Sequence, residues 1–266
     1  MNKKKVFLIL FLIIMFTSII LLKNIFQNEI TWHAHNPLIG HALYGIDNNF
    51  YTNSYESLNF GYSKGIKIFE TDFLLTSDNK LILNHHWEND EVLSYEEYMS
   101  HKIVGQYTPM DIKNLLLYMQ EHKDIYIVVD TKQDYYDSTK FLDIYSKLVA
   151  EANNLDSKLL DRFIIQIYDY NDLRNIKQIY NFKDYIFTVY KLHEISVLKL
   201  ISFCKFNNID TIVFPQESIY YLDSLDIGFI KLCNLKLYAH TVNDEQTFIV
   251  LSDYGVDGIY TDSLSP

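Results

Sequence analysis

Short apolar runs alternate with helix-period segments about eight times between residues 38 and 261, and this repetition restricts the fold more than any other feature of the chain. The runs fall at 38–43, 66–75, 125–130, 163–167, 185–189, 211–214, 236–240 and 258–261. Helix-period segments lie between most of them, at 54–63, 109–121, 138–150, 170–180, 194–206, 222–232 and 244–254. Such alternation implies parallel strands joined by crossover helices. Eight units in about 230 residues suit an α/β (β/α)8 TIM barrel, with an open doubly wound sheet as the runner-up. Thr108 ahead of Pro109 and Asp111 reads as a helix start, as does Asn243-Asp244-Glu245.

The N-terminus departs from this pattern. Lys3, Lys4 and Lys5 precede a 17-residue run, 6–22, whose polar members are Thr17 and Ser18, and Lys23 closes it. The length is near the lower limit for a membrane-spanning helix. No small-x-small cleavage site follows, so the expectation is an uncleaved anchor over residues 1–27. The lysines should remain cytoplasmic, which places the domain at 28–266 outside the cytoplasm. Without the four lysines of this segment, the net charge of −11 becomes −15. So acidic a body disfavours nucleic acid and anionic membrane surfaces as partners. Cys204 and Cys233 are the two cysteines; they read as buried thiols or a disulfide, without metal-ligand spacing.

In a parallel barrel, function collects where the strands end. The polar residues follow that rule. His41 lies near the end of the first run, and Glu70 and Asp72 lie late in the second. Asp130 ends the third with Lys132 two residues beyond, and Gln166, His240 and Asp262 mark later ends. Glu70 and Asp72, two apart on a strand, face one way. A turn at Ser77-Asp78-Asn79 then brings His85-His86 back toward them. Three carboxylates, Glu70, Asp72 and Asp130, suit a hard divalent cation, Mg2+ or Ca2+. His41 and His85 can act as base and acid near neutral pH, and Lys132 can face a developing oxyanion. A cation, a lysine and two histidines together match a phosphodiester.

Several segments carry a family resemblance. Gly40-His41 and Asn53-Ser54 resemble the opening His-Arg-Gly and Glu-Asn-Thr elements of the glycerophosphodiester phosphodiesterases, whose barrel is shared with phosphatidylinositol-specific phospholipases C. Phe69-Glu70-Thr71-Asp72 resembles that family's Glu-x-Asp strand, Asn84-His85-His86 its second-histidine element, and Val129-Asp130-Thr131-Lys132 its Glu-x-Lys element. Thr241-Val242-Asn243-Asp244 and Gly255-Val256-Asp257-Gly258-Ile259-Tyr260-Thr261-Asp262 resemble its C-terminal signature. The resemblance implies metal-dependent hydrolysis of a glycerophosphodiester, or a phospholipid-derived relative, to an alcohol and glycerol 3-phosphate. A neighbouring hydroxyl of the substrate would attack phosphorus. It makes His41 and His85 the acid/base pair, Glu70, Asp72 and Asp130 the metal ligands, and Lys132 the charge beside the phosphate.

The chain also departs from the family pattern. Ala42 stands where the family has arginine, Asp130 where the third ligand is usually glutamate, His86 in place of aspartate and His240 in place of tryptophan. These changes leave the reaction type in place and the substrate open. His86 is expected to pack or support, His240 to line the pocket or not, and His33 and His35 to belong to the lead-in. His101, His122 and His193 are expected in solvent. The Asn48-Asn49 loop is expected over the site, with Tyr44, Phe50 and Tyr51 available to a headgroup. Alternative functions are phospholipase C- or lysophospholipase D-like action on intact lipids, or a weakly catalytic module binding phosphorylated headgroups or glycans.

Overall fold

The computed structural model describes residues 32, 37–133, 137–192 and 195–266. Its strands are β1 (Leu38–Gly40), β2 (Ile68–Leu75), β3 (Leu81–Leu83), β4 (Met110–Asp111), β5 (Tyr126–Thr131), β6 (Phe163–Ile167), β7 (Asp184–Thr188), β8 (Thr211–Pro215), β9 (Lys236–His240) and β10 (Gly258–Thr261). All except β3 and β4 pair in parallel around a ring. β1 pairs with both β2 and β10, so the ring is closed and the open-sheet alternative is excluded. β3 and β4 extend β2 as an antiparallel flap outside the barrel.

The period of two along each strand builds the interior. Ile39, Ile68, Val128, Ile164, Ile186, Val213, Tyr238 and Tyr260, one from each barrel strand, form a buried layer with Trp32. Two residues further along, the chain places His41, Glu70, Asp130, Gln166, Thr188, Pro215, His240 and Asp262. One apolar floor thus supports a layer that is polar except at Pro215, at the C-terminal ends of the strands. The opposite faces, with Phe69, Phe73, Ile127, Val129, Ile165, Phe187 and Leu237, join the outer core. There they meet helix residues such as Leu115, Leu148, Leu200 and Leu251. Each such side chain contributes about 1.5–3 kcal/mol by leaving water, which holds the strand ends at fixed positions.

The helices are α1 (Tyr55–Ser63), α2 (Tyr95–Ser100), α3 (Ile112–Glu121), α4 (Phe141–Leu155), α5 (Asp172–Ile176), α6 (Val197–Asn207), α7 (Gln216–Ile219), α8 (Ser224–Leu232) and α9 (Glu245–Tyr254). Asp244 caps α9 as expected, accepting from the Thr247 N–H at 2.8 Å. The expected helix start at Thr108 is corrected. Met110 and Asp111 pair with β3, and α3 begins at Ile112 with Asp111 as its cap. Thr108 instead donates its N–H and hydroxyl to Glu56, at 2.7 and 2.8 Å. Gly255 takes φ 111°, a left-handed cap that favours glycine. At Gly258 the reason is space rather than a dihedral angle, since a Cβ there would meet the Pro37 carbonyl oxygen at 2.4 Å.

Cys204 and Cys233 are free and buried. Among the described residues no helix is long and apolar enough to cross a membrane. The anchor expected over residues 1–27 lies outside the described residues, as do His33, His35 and His193.

Candidate active site

Glu70 and Asp72 lie on β2, and Asp130 on β5 stands in register with Asp72. All three are buried, and one oxygen from each lies within 4.8 Å of the others. Like charges so close and so dry cost several kcal/mol per ion unless they are compensated. The compensation is visible atom by atom. The Ala42 N–H donates to Glu70 Oε2 at 2.7 Å. Asn53 Nδ2 donates to Asp72 Oδ2 at 2.8 Å, while Asn53 Oδ1 accepts from the Thr71 hydroxyl at 2.7 Å and the Asp72 N–H at 3.1 Å. The Lys132 ammonium stands 2.6 Å from Asp130 Oδ2 and 3.1 Å from Asp72 Oδ1. The Tyr168 hydroxyl donates to Asp130 Oδ1.

The three acids respond differently. Burial, then Asp72 and Asp130, push the Glu70 carboxyl well above the usual range. Burial also raises Asp72, but Lys132, His85 and Asn53 outweigh it and leave Asp72 below that range. Burial works against the Lys132 ammonium, yet Asp130 and Asp72 hold its pKa above that of an ordinary lysine. One ammonium faces three carboxylates, and no donor among the described residues reaches Glu70 Oε1. An all-oxygen donor set with surplus negative charge and an unsatisfied buried carboxylate oxygen fits a hard divalent cation.

His41 follows β1 in a tight turn. Ala42, Leu43 and Tyr44 take φ of 47°, 64° and 80°, an uncommon run of left-handed residues without glycine. That turn aims the Ala42 N–H at Glu70 and lays His41 over the barrel mouth. His41 Nδ1 lies 2.8 Å from Asp262 Oδ1, and Nε2 lies 3.9 Å from Glu70 Oε2. Asp262 is held in turn by Asn243, whose Nδ2 donates to Oδ2 and whose Oδ1 accepts the Asp262 N–H, both at 2.7 Å. A carboxylate at Nδ1 assigns the proton there and leaves the Nε2 lone pair free to accept. His85 emerges from the flap beyond β3. The Tyr51 ring stands between the two histidines, with centroids 4.9 Å from His41 and 4.7 Å from His85. Burial chiefly lowers the His85 pKa, and Lys132 adds to that effect against the pull of Asp72. His86 is exposed and supports His85, with the two Nδ1 atoms 3.1 Å apart.

All six residues singled out as catalytic or ligating therefore gather at one end of the barrel. His240 joins them, its ring edge-on to His41 at 4.8 Å. Burial, then His41, push its pKa down to about 3, which makes it a neutral imidazole wall. Two expectations are corrected. Tyr44 is buried and donates its hydroxyl to the Ser263 carbonyl at 2.6 Å, so it is not available to a headgroup, whereas Phe50 and Tyr51 remain exposed. His122 is half-buried and stacks on Tyr118 with centroids 3.9 Å apart, rather than standing in solvent; His101 is exposed as expected. The sequence reading places Asn53 and Asn243 in family-like segments, Asn243 also at a helix start, without a partner in the site for either; it gives Tyr168 no part and Asp262 no partner. The available signal was the period of two, which carries Ile164 through Gln166 to Tyr168 and Tyr260 to Asp262.

Comparison with known proteins agrees with this architecture. No curated protein matches the chain. Among solved structures, a glycerophosphodiester phosphodiesterase from Parabacteroides distasonis superposes with a TM-score of 0.69 at 18% identity, covering 85% of this chain and 92% of that one. An Oleispira antarctica phosphodiesterase, solved in complex with the product sn-glycerol-3-phosphate, gives 0.67 at 15% identity, with 85% and 93% covered. A Thermotoga maritima glycerophosphodiester phosphodiesterase gives 0.61 at 15% identity, with 86% and 96% covered. At such identities the likeness establishes the fold. The model of the glycerophosphoryl diester phosphodiesterase family matches residues 45–265, a span that opens four residues after His41. The chain belongs to the glycerophosphoryl diester phosphodiesterase family, and it is a phosphoric diester hydrolase.

Proposed function

We propose that this barrel hydrolyses glycerophosphodiesters to an alcohol and glycerol 3-phosphate, with a divalent cation, Mg2+ or Ca2+, on Glu70, Asp72 and Asp130. The observation that carries this reading is the pairing of a buried three-carboxylate cluster with an Asp262-oriented histidine at one barrel mouth. Family membership supports the substrate class, and the product bound in the Oleispira antarctica phosphodiesterase supports glycerol 3-phosphate as the released species.

The geometry supports the following residue roles. His41 Nε2, its lone pair left free by the Asp262 contact, accepts the proton of the substrate's neighbouring hydroxyl. That oxygen bonds to phosphorus, and the bond from phosphorus to the leaving alcohol breaks. His85 donates the proton that the departing alkoxide needs. Water then opens the cyclic phosphate with the two histidines in reversed roles, and both return to their starting states. The Lys132 ammonium stabilises charge on the phosphoryl oxygens. The bound cation would supply Lewis-acid polarisation of the phosphoryl group. Asp262 and Asn243 orient His41, and His240 stays neutral, so it adds no competing charge beside it. Residues 6–22, flanked by lysines, support an N-terminal membrane anchor with the barrel outside the cytoplasm.

Incubation of the purified protein with glycerophosphodiesters, followed by phosphorus NMR, is expected to release glycerol 3-phosphate. EDTA should stop the reaction and Mg2+ or Ca2+ should restore it. Phosphate left on the alcohol fragment contradicts the product assignment, and an unchanged rate after exhaustive chelation contradicts the cation. His41→Ala and His85→Ala should each lower kcat by about 10²–10⁴-fold while leaving the barrel folded; near-normal turnover removes the residue from the mechanism. The full chain should resist alkaline carbonate extraction from membranes, and a chain lacking residues 1–27 should be soluble. A full chain that washes off contradicts the anchor.

A further inference from the structure

Asp130 reaches less far than the glutamate that the family pattern places there, by roughly one C–C bond, about 1.5 Å. A set of hydrogen bonds behind it bears on that difference. Tyr168, just past β6, is buried and donates its hydroxyl to Asp130 Oδ1. A tyrosine hydroxyl has one proton and two lone pairs. The Tyr168 oxygen accepts from Gln166 Nε2 at 2.5 Å and from the Tyr190 hydroxyl at 2.9 Å. Both lone pairs are thereby used, and the single proton is committed to Asp130. Gln166 cannot turn its amide the other way, because its Oε1 accepts the Tyr260 hydroxyl at 2.9 Å. Tyr260 reaches it from β10, on the opposite side of the eight-strand ring from β6. Every proton in this relay points toward Asp130. The other oxygen of Asp130, Oδ2, faces the Lys132 ammonium at 2.6 Å.

We propose that Tyr168 is a positioning residue for the third metal carboxylate, fixing Asp130 so that a shorter side chain serves where the family pattern has glutamate. The proposal rests on the cation site described above. Each Asp130 oxygen keeps a further lone pair for a cation, while the two donors set the plane of the carboxylate. Tyr168 acts through Asp130 and does not touch the reacting atoms. Without its hydroxyl the short side chain can rotate away from Glu70 and Asp72. The Tyr168 hydroxyl occupies the position next to Asp130 Oδ1, so the proposal couples the choice of side chain at 130 to the hydroxyl at 168.

Calorimetric titration of the full chain with Mn2+ tests this. Tyr168→Phe, which keeps the ring, should weaken binding by about 10-fold or more. Asp130→Glu alone should also weaken it, and Asp130→Glu combined with Tyr168→Phe should recover most of the loss. Binding by Tyr168→Phe as tight as wild type overturns the proposal. A loss that Asp130→Glu does not recover leaves Tyr168 with a purely structural part and also overturns it. A wild-type chain that binds no Mn2+ overturns the cation site itself, and the proposal with it.

Discussion

Three buried carboxylates facing one ammonium are the constraint around which the rest of the barrel mouth is arranged. A domain of this kind is stable by about 5–15 kcal/mol, and a buried uncompensated ion costs several kcal/mol. Such a cluster persists because all but one of its oxygens have a partner. The left-handed turn after β1 gives Glu70 a backbone donor, Asn53 gives Asp72 an amide, and Tyr168 and Lys132 divide Asp130 between them. Glu70 Oε1 alone among these carboxylate oxygens faces neither a hydrogen-bond donor nor the ammonium. In the proposed reading that residual charge belongs to a divalent cation, and the proton-transfer groups stand around it.

The barrel was legible because its physics is local. Apolar runs bounded by helix-period segments need only the two periodicities and short connections to be read. The period of two also placed the site, since each polar residue follows an interior apolar one on the same strand face. What was not legible depends on long-range or irregular backbone. Asp262 and His41 are 221 residues apart in sequence, and their contact exists because β1 and β10 close the ring. Asn53 lies on a connection, where no period fixes the direction of a side chain. The start of α3 was misread because β3 recruited Met110 and Asp111 for pairing, a tertiary contact that overrode good capping chemistry at Thr108.

The departures from the family pattern acquire physical content in this frame. Ala42 offers no charged side chain, but its backbone N–H is the group that holds Glu70, and any residue except proline supplies that donor. Its side chain is fully buried, so the chain has no cation at that point for a phosphate. His240 presents a neutral ring edge to His41 rather than a second titrating partner. His86, in place of an acid, leaves His85 beside an imidazole instead of a carboxylate. These departures change the groups around the cluster while the three carboxylates, Lys132 and His41 stay gathered at the barrel mouth.

The measurement that tests the central claim most directly is the position of a bound ion. Crystals soaked in Mn2+ and measured at its absorption edge should show one anomalous peak among the Glu70, Asp72 and Asp130 carboxylates, at about 2.0–2.6 Å from their oxygens. A map at saturating Mn2+ with no peak there, and with Lys132 still paired to Asp72 and Asp130, would contradict the reading of these acids as a cation site.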